Sequence, residues 1–288
     1  MATIPLWLKP LYPFTPKVFR TSAGANMSYV GAEAVVMLHG NPTWSFYYRR
    51  LITALAPSIR CVAPDHVGMG LSSKPEDYAY TLAQRIVDVG ELIENLGLTR
   101  VHLVVHDWGG AIGCGWAGQH PDIVGRITIL NTAAFASEHL PRRIALCKAP
   151  FVGTALVRGI NGFAGPATWM SMARRTLSED EKRAYLWPYD SWANRVAIDA
   201  FVKDIPMNPR HTTWAALDSV GRNLERLTDR PALIAWGGRD FCFNDHFYRE
   251  WQQRWPRART HYLPDAGHYV LEDAADEIVP LITRFLQE

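Results

Sequence analysis

The sequence predicts an α/β fold in which a mostly parallel sheet is flanked by helices and carries an inserted helical cap. Short apolar runs alternate with amphipathic segments, which is typical of buried strands joined by helices. This alternation stops between residues 136 and 209, where no convincing strand pattern is found. A chain of 288 residues with 48% hydrophobic residues is long enough to bury a large core.

Six apolar runs have the length of buried strands and are predicted at residues 35–38, 61–63, 101–105, 127–130, 232–236 and 260–263. Helical periodicity between them predicts helices at residues 44–55, 82–96, 111–119, 245–254 and 275–286. In an open parallel sheet, ligands bind at the carboxyl ends of the strands. We therefore expect functional side chains in the loops that follow these strands.

The segment at residues 136–209 is rich in Trp, Phe, Arg and Pro, and helical stretches are predicted there near residues 141–159, 167–176, 179–187 and 192–203. It is predicted to form a helical cap between two parts of the α/β core, residues 1–135 and 210–288. A cap entered after strand 127–130 would close over the carboxyl ends of the sheet. Several of its aromatic side chains could face a substrate cavity, although most are expected in the cap's own core: Phe151, Phe163, Trp169, Trp187 and Phe201.

The composition excludes several classes of partner. The formal net charge is +2 and the basic residues are scattered, so neither nucleic acid nor an anionic membrane is expected as a partner. The four cysteines stand far apart, without the spacing of a zinc site or a redox pair, and are interpreted as core thiols: Cys61, Cys114, Cys147 and Cys242. No metal and no cofactor are expected.

Prolines within the first 16 residues argue against a signal peptide at the N-terminus. No apolar stretch approaches the length of a transmembrane segment. We therefore expect a cytoplasmic protein.

Asp107 lies between the predicted strand 101–105 and a helix of small residues, and is followed by Trp108, Gly109 and Gly110. Strand, sharp turn and helix form the setting of a nucleophile elbow, in which Asp107 is expected to be exposed at the end of its strand. A carboxylate can attack an sp3 carbon that bears a leaving group and form an ester, whereas serine is suited to acyl transfer. The alternative is an Asp that only caps the helix, and this motif alone does not decide between them.

Two neutral donors are expected beside Asp107. Asn41 lies in the loop after the first predicted strand and offers an amide, and Trp108 offers an indole N–H. Neutral donors can stabilise a departing halide or a developing oxyanion without titrating themselves. Asn41 alone would more often be a turn residue, but paired with Trp108 it becomes a candidate for this role.

A histidine and a second acid complete the predicted constellation. His268 lies in the loop after the last predicted strand, and Asp240 follows strand 232–236, which gives the chain order nucleophile, acid, histidine. Asp240 would orient His268 and stabilise its imidazolium, and the other ring nitrogen would activate water. Asp245 and Asp265 compete for the role of the acid, but capping explains both of them adequately.

Four motifs stand in the predicted loops: HGNPTW at residues 39–44, DHVGMGLS at 65–72, HDWGG at 106–110 and GHY at 267–269. Together they resemble the haloalkane dehalogenase branch of the α/β-hydrolase superfamily, and the resemblance runs through nearly the whole chain. It implies the α/β-hydrolase fold. It also implies Asp107 as the nucleophile, Asn41 and Trp108 as stabilising donors, and His268 with Asp240 as the rest of the triad.

Within that branch the chain looks most like the cis-β-lactone (cis-3-alkyl-4-alkyloxetan-2-one) decarboxylases of bacterial long-chain olefin biosynthesis. The segments that carry this resemblance are residues 12–17, 131–135, 183–185, 188–190, 204–206 and 268–273. The resemblance implies a hydrophobic small-molecule substrate with two alkyl chains, which is converted to a cis-alkene and CO2. It also implies an assembly with other enzymes of olefin biosynthesis.

The alternative prediction is a haloalkane dehalogenase, which would use the same five residues to hydrolyse a haloalkane to an alcohol and halide through an alkyl-enzyme ester. An epoxide hydrolase usually has an aromatic residue at the position of Asn41, which argues against that activity. A non-catalytic binding protein with this fold would normally have lost part of the triad, whereas every part is present here.

Overall fold

The computed structural model describes residues 4–30, 35–137 and 141–288. Within these ranges the chain forms eight strands, numbered in chain order: Lys17–Arg20 (β1), Asn26–Val30 (β2), Val35–Leu38 (β3), Cys61–Pro64 (β4), Val101–His106 (β5), Val124–Leu130 (β6), Ala232–Gly237 (β7) and Arg259–Leu263 (β8). They form one sheet in the order β1-β2-β4-β3-β5-β6-β7-β8. Pairing is parallel from β4 to β8 in this order and antiparallel for β1–β2 and β2–β4. The predicted α/β class with a mostly parallel sheet is confirmed.

All six predicted strands are present, as β3 to β8. The apolar pattern of the sequence does not predict β1 and β2, and the position of these strands explains why. Strand β1 lies at the edge of the sheet and is mostly exposed, so it lacks the continuous apolar run of a buried parallel strand. Strand β2 pairs antiparallel with both neighbours and mixes polar with apolar residues.

The α-helices are numbered in the same way: Arg49–Leu55 (α1), Leu82–Asn95 (α2), Trp108–Gln119 (α3), Arg142–Lys148 (α4), Val152–Thr154 (α5), Ala164–Met170 (α6), Glu179–Leu186 (α7), Val196–Asp204 (α8), Trp214–Asn223 (α9), Asp245–Arg254 (α10), Val270–Asp273 (α11) and Ala275–Gln287 (α12). Every predicted core helix is present, as α1, α2, α3, α10 and α12. Helix α3 packs closely on the sheet, because a Cβ atom at Gly109 would lie 1.9 Å from the carbonyl oxygen of Leu38. No helix in the described ranges combines the length and the apolar character that a bilayer span requires.

The chain between β6 and β7 contains helices α4 to α9 and no strand among its described residues. The helical stretch predicted near residues 141–159 is present, but it is interrupted. Its first half ends at Lys148, Phe151 has a φ of 58°, and α5 then leads into a π-helical turn, Ala155–Gly159. Pro150 explains the break, since proline has no N–H for the helix and clashes with the preceding turn.

Helices α4 to α8 are here called the helical segment, and α7 and α8 contact the loop after β3. The indole nitrogen of Trp44 donates a 3.2 Å hydrogen bond to the carbonyl of Ala184 on α7. The side-chain amide of Asn41 donates a 3.1 Å hydrogen bond to the carbonyl of Ile198 on α8. The helical segment therefore lies against the end of the sheet at which the parallel strands terminate.

Candidate active site

Asp107 occupies a sharp turn between β5 and α3, with φ 52° and ψ −130°. A positive φ is strained for a residue with a side chain, and surrounding hydrogen bonds hold it here. The N–H of Asp107 donates to the carbonyl of Asn131 over 3.2 Å, and the Asp107 carbonyl accepts from the N–H of Gly110 over 2.9 Å and from the hydroxyl of Thr132. These contacts fix the direction of the carboxylate.

The expectation that Asp107 is exposed is wrong, because only 6% of the residue is accessible to solvent. The loop after β3 closes over it, and this loop is in turn held by the helical segment. A Cβ atom at Gly40 would lie 1.9 Å from Asp107 Oδ1, so only glycine permits this approach. The adjacent N–H of Asn41 donates a 2.7 Å hydrogen bond to the same oxygen.

The electrostatics of Asp107 reflect this enclosure. Burial raises the pKa of the Asp107 carboxyl above its usual range, and His268 and the backbone N–H groups of Asn41 and Trp108 oppose that rise only in part. Oxygen Oδ1 is held by Asn41, whereas Oδ2 faces His268. The arrangement leaves one poorly solvated carboxylate oxygen available for reaction.

His268 lies between the two buried carboxylates. Its Nδ1 is 2.7 Å from Asp240 Oδ2, and its Nε2 is 3.7 Å from Asp107 Oδ2. Burial lowers the pKa of His268, but the charges of Asp240 and Asp107 outweigh that effect, so the pKa is raised overall. The structure thus brings together the three residues that the sequence predicts as a triad, with Asp240 setting the orientation of the ring.

The carboxylate of Asp240 is held by four donors. Its Oδ1 accepts from the backbone N–H groups of Cys242 and Phe243, over 2.6 and 3.0 Å. Its Oδ2 accepts from His268 and also from the side-chain amide of Asn131, over 2.9 Å. Asn131 is not among the residues that the sequence predicts for the site. Its position directly after β6, the neighbour of β7 in the sheet, is the signal that could have found it.

The two competing acids bind other groups. Asp245 Oδ1 accepts a 2.8 Å hydrogen bond from the hydroxyl of Tyr262. Asp265 Oδ1 accepts from the guanidinium of Arg174, in an ion pair on the surface. The structure does not bring either of them to His268 in place of Asp240.

Asn41 and Trp108 both line a cavity in front of Asp107. The Trp108 ring lies against Phe201 of α8, with ring centroids 5.4 Å apart. The side-chain Nδ2 of Asn41 binds Ile198, and its buried Oδ1 has no hydrogen-bond partner within the described part of the chain. The structure therefore places both predicted donors beside Asp107, and Asn41 also joins the loop after β3 to the helical segment.

The cavity has a volume of about 520 Å³ and is mostly apolar. Its polar end consists of Asp107, His268 and the two predicted donors, and the remaining walls come from the helical segment and from the loops after β6 and β7. Among the five aromatic residues noted in the sequence, Phe163 and Trp169 line the cavity, whereas Phe201 is buried and Phe151 is 91% exposed. An apolar cavity with a few polar groups at one end suits a ligand with alkyl chains.

The loop that carries His268 is held from several sides. His106 Nε2 donates a 3.0 Å hydrogen bond to the carbonyl of His268. The N–H of Gly267 donates to Asp273 Oδ2 over 2.7 Å, and the N–H of Tyr269 donates to the carbonyl of Ser171 over 2.9 Å. The position of the imidazole thus depends on the helical segment as well as on the core.

The cysteines are free thiols. Cys61, Cys114 and Cys147 are in the core as predicted, whereas Cys242 is partly buried and packs against it. Cys147 and Cys242 also line the cavity, because the helical segment and the loop after β7 bring them to its wall. Among the described residues, no group of three or more His, Cys, Asp or Glu side chains could hold a metal ion.

Similarity to known protein families shows which family the chain belongs to. A family model described as the alpha/beta hydrolase fold matches residues 33–275. The chain belongs to the alpha/beta hydrolase family. This match covers most of the sheet together with the loops that carry Asn41, Asp107, Asp240 and His268, and it identifies the protein as an enzyme of that family.

Individual relatives show which proteins of this family the chain resembles. The alpha/beta hydrolase is 41% identical over 290 residues to a cis-3-alkyl-4-alkyloxetan-2-one decarboxylase of Shewanella oneidensis, with 98% of this chain and 91% of that protein covered. It is 42% identical to a protein of the same name from Xanthomonas campestris pv. campestris, with 96% and 98% covered. Haloalkane dehalogenase 2 of Mycobacterium bovis is 30% identical, with 96% of each chain covered.

The solved structures include haloalkane dehalogenase DbeA from Bradyrhizobium elkani, which superposes with a TM-score of 0.85 at 26% identity and covers 95% of this chain and 98% of that one. The predicted α/β-hydrolase fold is therefore confirmed. The predicted resemblance is also confirmed: the identity to the two proteins named cis-3-alkyl-4-alkyloxetan-2-one decarboxylase exceeds the identity to haloalkane dehalogenase 2, and haloalkane dehalogenases are more distant relatives.

Proposed function

We propose that this alpha/beta hydrolase is a β-lactone decarboxylase, which converts cis-3,4-dialkyl-oxetan-2-ones to cis-alkenes and CO2. The observation that carries the proposal is the near full-length similarity to two proteins named as such decarboxylases, which exceeds the similarity to the dehalogenases. The apolar cavity in front of Asp107 supports it, because two alkyl chains need apolar walls on either side of the reacting ring.

Asp107 is the proposed nucleophile. Its Oδ2 would attack the ring carbon that bears the lactone oxygen, so that a new C–O ester bond forms while the ring C–O bond breaks. The electron pair of the broken bond stays on the former ring oxygen, which becomes part of a carboxylate on the neighbouring carbon. Asn41 and Trp108 would donate to that developing carboxylate, and ring strain lowers the barrier to this step.

The ester would then decompose without water. Loss of CO2 supplies the electron pair of the new C=C bond, and the carboxylate of Asp107 leaves with the electron pair of the ester bond. Inversion at the attacked carbon followed by anti elimination keeps the two alkyl groups cis. His268 would assist this breakdown, because its raised pKa favours the imidazolium, which stabilises the departing carboxylate.

The helical cap, the assembly with other enzymes and the cellular location belong to the same proposal. The helical segment would be the substrate cap, which is supported by its residues in the cavity wall and by its hydrogen bonds to the loop after β3. The assembly with other olefin-biosynthesis enzymes and the cytoplasmic location stay predictions. Co-elution from a cell extract and cell fractionation would test them.

The second candidate is a haloalkane dehalogenase, and the similarity to DbeA favours it. Asp107 would displace halide from a haloalkane, with Asn41 and Trp108 as donors to the leaving ion. Neutral His268, oriented by Asp240, would then activate water against the alkyl ester. The two reactions share these residues, so the substrate has to separate them.

The test offers the enzyme a cis-3,4-dialkyl-oxetan-2-one and a 1-bromoalkane of similar length. Alkene is followed by gas chromatography and bromide by its release into solution, with Asp107→Ala as the background control. We expect cis-alkene from the lactone with much the higher kcat/KM, because two alkyl arms supply binding energy that a single chain lacks. Rapid bromide release without alkene from either lactone diastereomer would contradict the proposal and show that the enzyme is a haloalkane dehalogenase.

A further inference from the structure

Large apolar side chains are exposed on the helical segment. Leu146 on α4, Phe151 and Val152 at the start of α5, Ile160 after the π-helical turn and Trp169 on α6 are between 55% and 91% exposed. These five residues are here called the apolar rim. Single exposed apolar residues are ordinary on a soluble protein, but a group on one segment marks a surface that contacts something apolar.

The apolar rim is continuous with the cavity. Leu146, Ile160 and Trp169 line the cavity and are also exposed, so they stand at its mouth. Phe151 and Val152 lie next to them, because α5 packs directly on α4: a Cβ atom at Gly153 would lie 2.0 Å from the carbonyl oxygen of Cys147. The apolar surface inside the cavity therefore extends onto the outside of the protein.

Phe151 is held outward by a strained backbone. Its φ of 58° and ψ of −56° are rare for a bulky residue. The N–H of Val152 donates to the carbonyl of Pro150 over 2.6 Å, and the N–H of Gly153 donates to the carbonyl of Ala149 over 2.9 Å, which closes a tight turn. Strain of this kind persists where the surrounding structure enforces it, and here it presents an aromatic ring to solvent.

The sequence as a whole, with a net charge of +2, does not predict an anionic membrane as a partner, but the charge of this stretch is one-sided. Residues 139–178 contain no Asp or Glu, and their basic residues are Arg142, Arg143, Lys148, Arg158, Arg174 and Arg175. Arg158, Arg174 and Arg175 are paired with carboxylates outside the stretch, and the other three basic residues belong to α4. Lys148 donates to the carbonyl of Lys203, a neutral acceptor, and the Asp204 carboxylate that acts on its charge is itself paired with Arg85. A helix with an excess of basic residues, next to exposed apolar and aromatic side chains, is complementary to an anionic lipid surface.

We propose that the apolar rim docks on an anionic lipid surface, so that the mouth of the cavity opens into the lipid and takes its alkyl substrate from there. Phe151 and Val152 enter the interface, and the positive charge of α4 attracts the lipid headgroups. The docking is inferred from the apolar rim and the charge beside it, independently of the proposed function. Only the identity of the substrate that passes through the mouth of the cavity rests on the proposed function.

The test measures co-sedimentation of the full chain with vesicles of phosphatidylglycerol or of phosphatidylcholine. Wild type is expected to bind the anionic vesicles more tightly than the neutral ones, and to bind less as salt is raised. The double variant Phe151→Ser/Val152→Ser is expected to bind the vesicles at least about tenfold more weakly than wild type, since it loses the burial of two apolar side chains. Leu6→Ser is the matched control, because Leu6 is 80% exposed outside the apolar rim.

Activity provides a second arm. Neither Phe151 nor Val152 lines the cavity, so the double variant should turn over a short, water-soluble dialkyl lactone at the wild-type rate. Turnover of a long-chain lactone supplied in anionic vesicles should fall with vesicle binding. Vesicle binding without any alkene formation would contradict the proposed function but support the docking surface. Alkene formation without vesicle binding would support the proposed function but contradict the docking surface.

Three further outcomes would overturn the proposal. The first is binding by the double variant equal to that of Leu6→Ser. The second is equal binding to neutral and anionic vesicles. The third is a wild-type dimer in light scattering that ignores vesicles and dissociates in the double variant, which would assign the apolar rim to a second copy of the chain.

Discussion

Asn131 donates its side-chain Nδ2–H to Asp240 Oδ2 over 2.9 Å. The amide cannot turn away, because its Oδ1 accepts from the N–H of Gly237 over 2.8 Å and its Nδ2 also reaches the Gly237 carbonyl over 3.0 Å. With the donors on Oδ1, this bond fills the acceptor sites of Asp240 that His268 leaves open. Asn131 is thus a positioning residue that acts on His268 through Asp240.

Asn131→Ala is expected to lower kcat about tenfold to a hundredfold with little change in KM, since a hydrogen bond to a charged group is lost. Without that donor, Asp240 keeps more negative charge for His268, so the pKa of His268 should rise further. An NMR titration of the imidazole measures this shift.

The exposed Asn208 provides the control, and Asn208→Ala should leave kcat and the titration unchanged. Simple loosening of the site would expose His268 and move its pKa toward 6.5. A downward shift in Asn131→Ala would therefore contradict the positioning role.

The predicted triad residues share a property that makes them visible in sequence. Each of Asp107, Asp240 and His268 is an ionisable residue in the loop or turn that follows a predicted strand, and parallel strands end on one edge of the sheet. Asn131 likewise follows β6, but its side chain is an uncharged amide, so the sequence indicates only a loop without an acid. Its role follows from the neighbour relation of β6 and β7, which the local sequence does not contain.

Other features depend on contacts between distant parts of the chain. Asn41 binds Ile198, which lies 157 residues further along, and periodicity carries no information about such a contact. The burial of Asp107 has the same origin, because the loop after β3 covers it. A residue at the end of a strand is exposed when nothing covers it. Asp107 is buried because a second segment packs on the turn that carries it.

Asp107→Ala is expected to abolish turnover, with residual activity below about 1% of wild type, because loss of the nucleophile costs on the order of a millionfold in a serine protease. The fold should persist, since the variant removes a buried carboxylate rather than core packing. Circular dichroism tests the fold and alkene formation tests the activity. A folded variant with more than about 1% activity would exclude Asp107 as the nucleophile.

The stability effect of Asp107 should depend on pH. Burial raises the pKa of Asp107 above its ordinary value of 3.8. A raised carboxyl pKa means that the contribution of Asp107 to stability is present below pH 3.8 and is lost as pH rises through the pKa in the folded state. The Tm of Asp107→Ala relative to wild type should therefore increase across that window. Thermal unfolding at a series of pH values measures the difference, and a constant difference would contradict the raised pKa.

Asp240→Asn is expected to slow turnover on the order of ten thousandfold, by analogy with the serine-protease case in which the histidine takes the wrong tautomer. Asp265→Asn and Asp245→Asn should have mild effects, because these carboxylates bind Arg174 and Tyr262 instead of His268. Steady-state kinetics of the three variants compares them directly. Greater sensitivity at Asp265 would show that the acid of the triad is assigned incorrectly.

His268→Phe removes the base but leaves the nucleophile, so under the dehalogenase alternative a supplied 1-bromoalkane should alkylate Asp107 and the ester should accumulate. Intact-protein mass spectrometry would show the added alkyl mass, and peptide mapping would place it. The competing nucleophiles are thiols, but burial raises the pKa of Cys114 to about 12 and that of Cys242 well above its usual range, so both are held as weakly nucleophilic thiols. Cys242 is the more informative of the two, because it lines the cavity beside Asp107. An adduct on Cys242 that persists in Asp107→Ala/His268→Phe would show that the carboxylate is not the attacking group, whereas loss of the adduct in that double variant would assign the attack to Asp107.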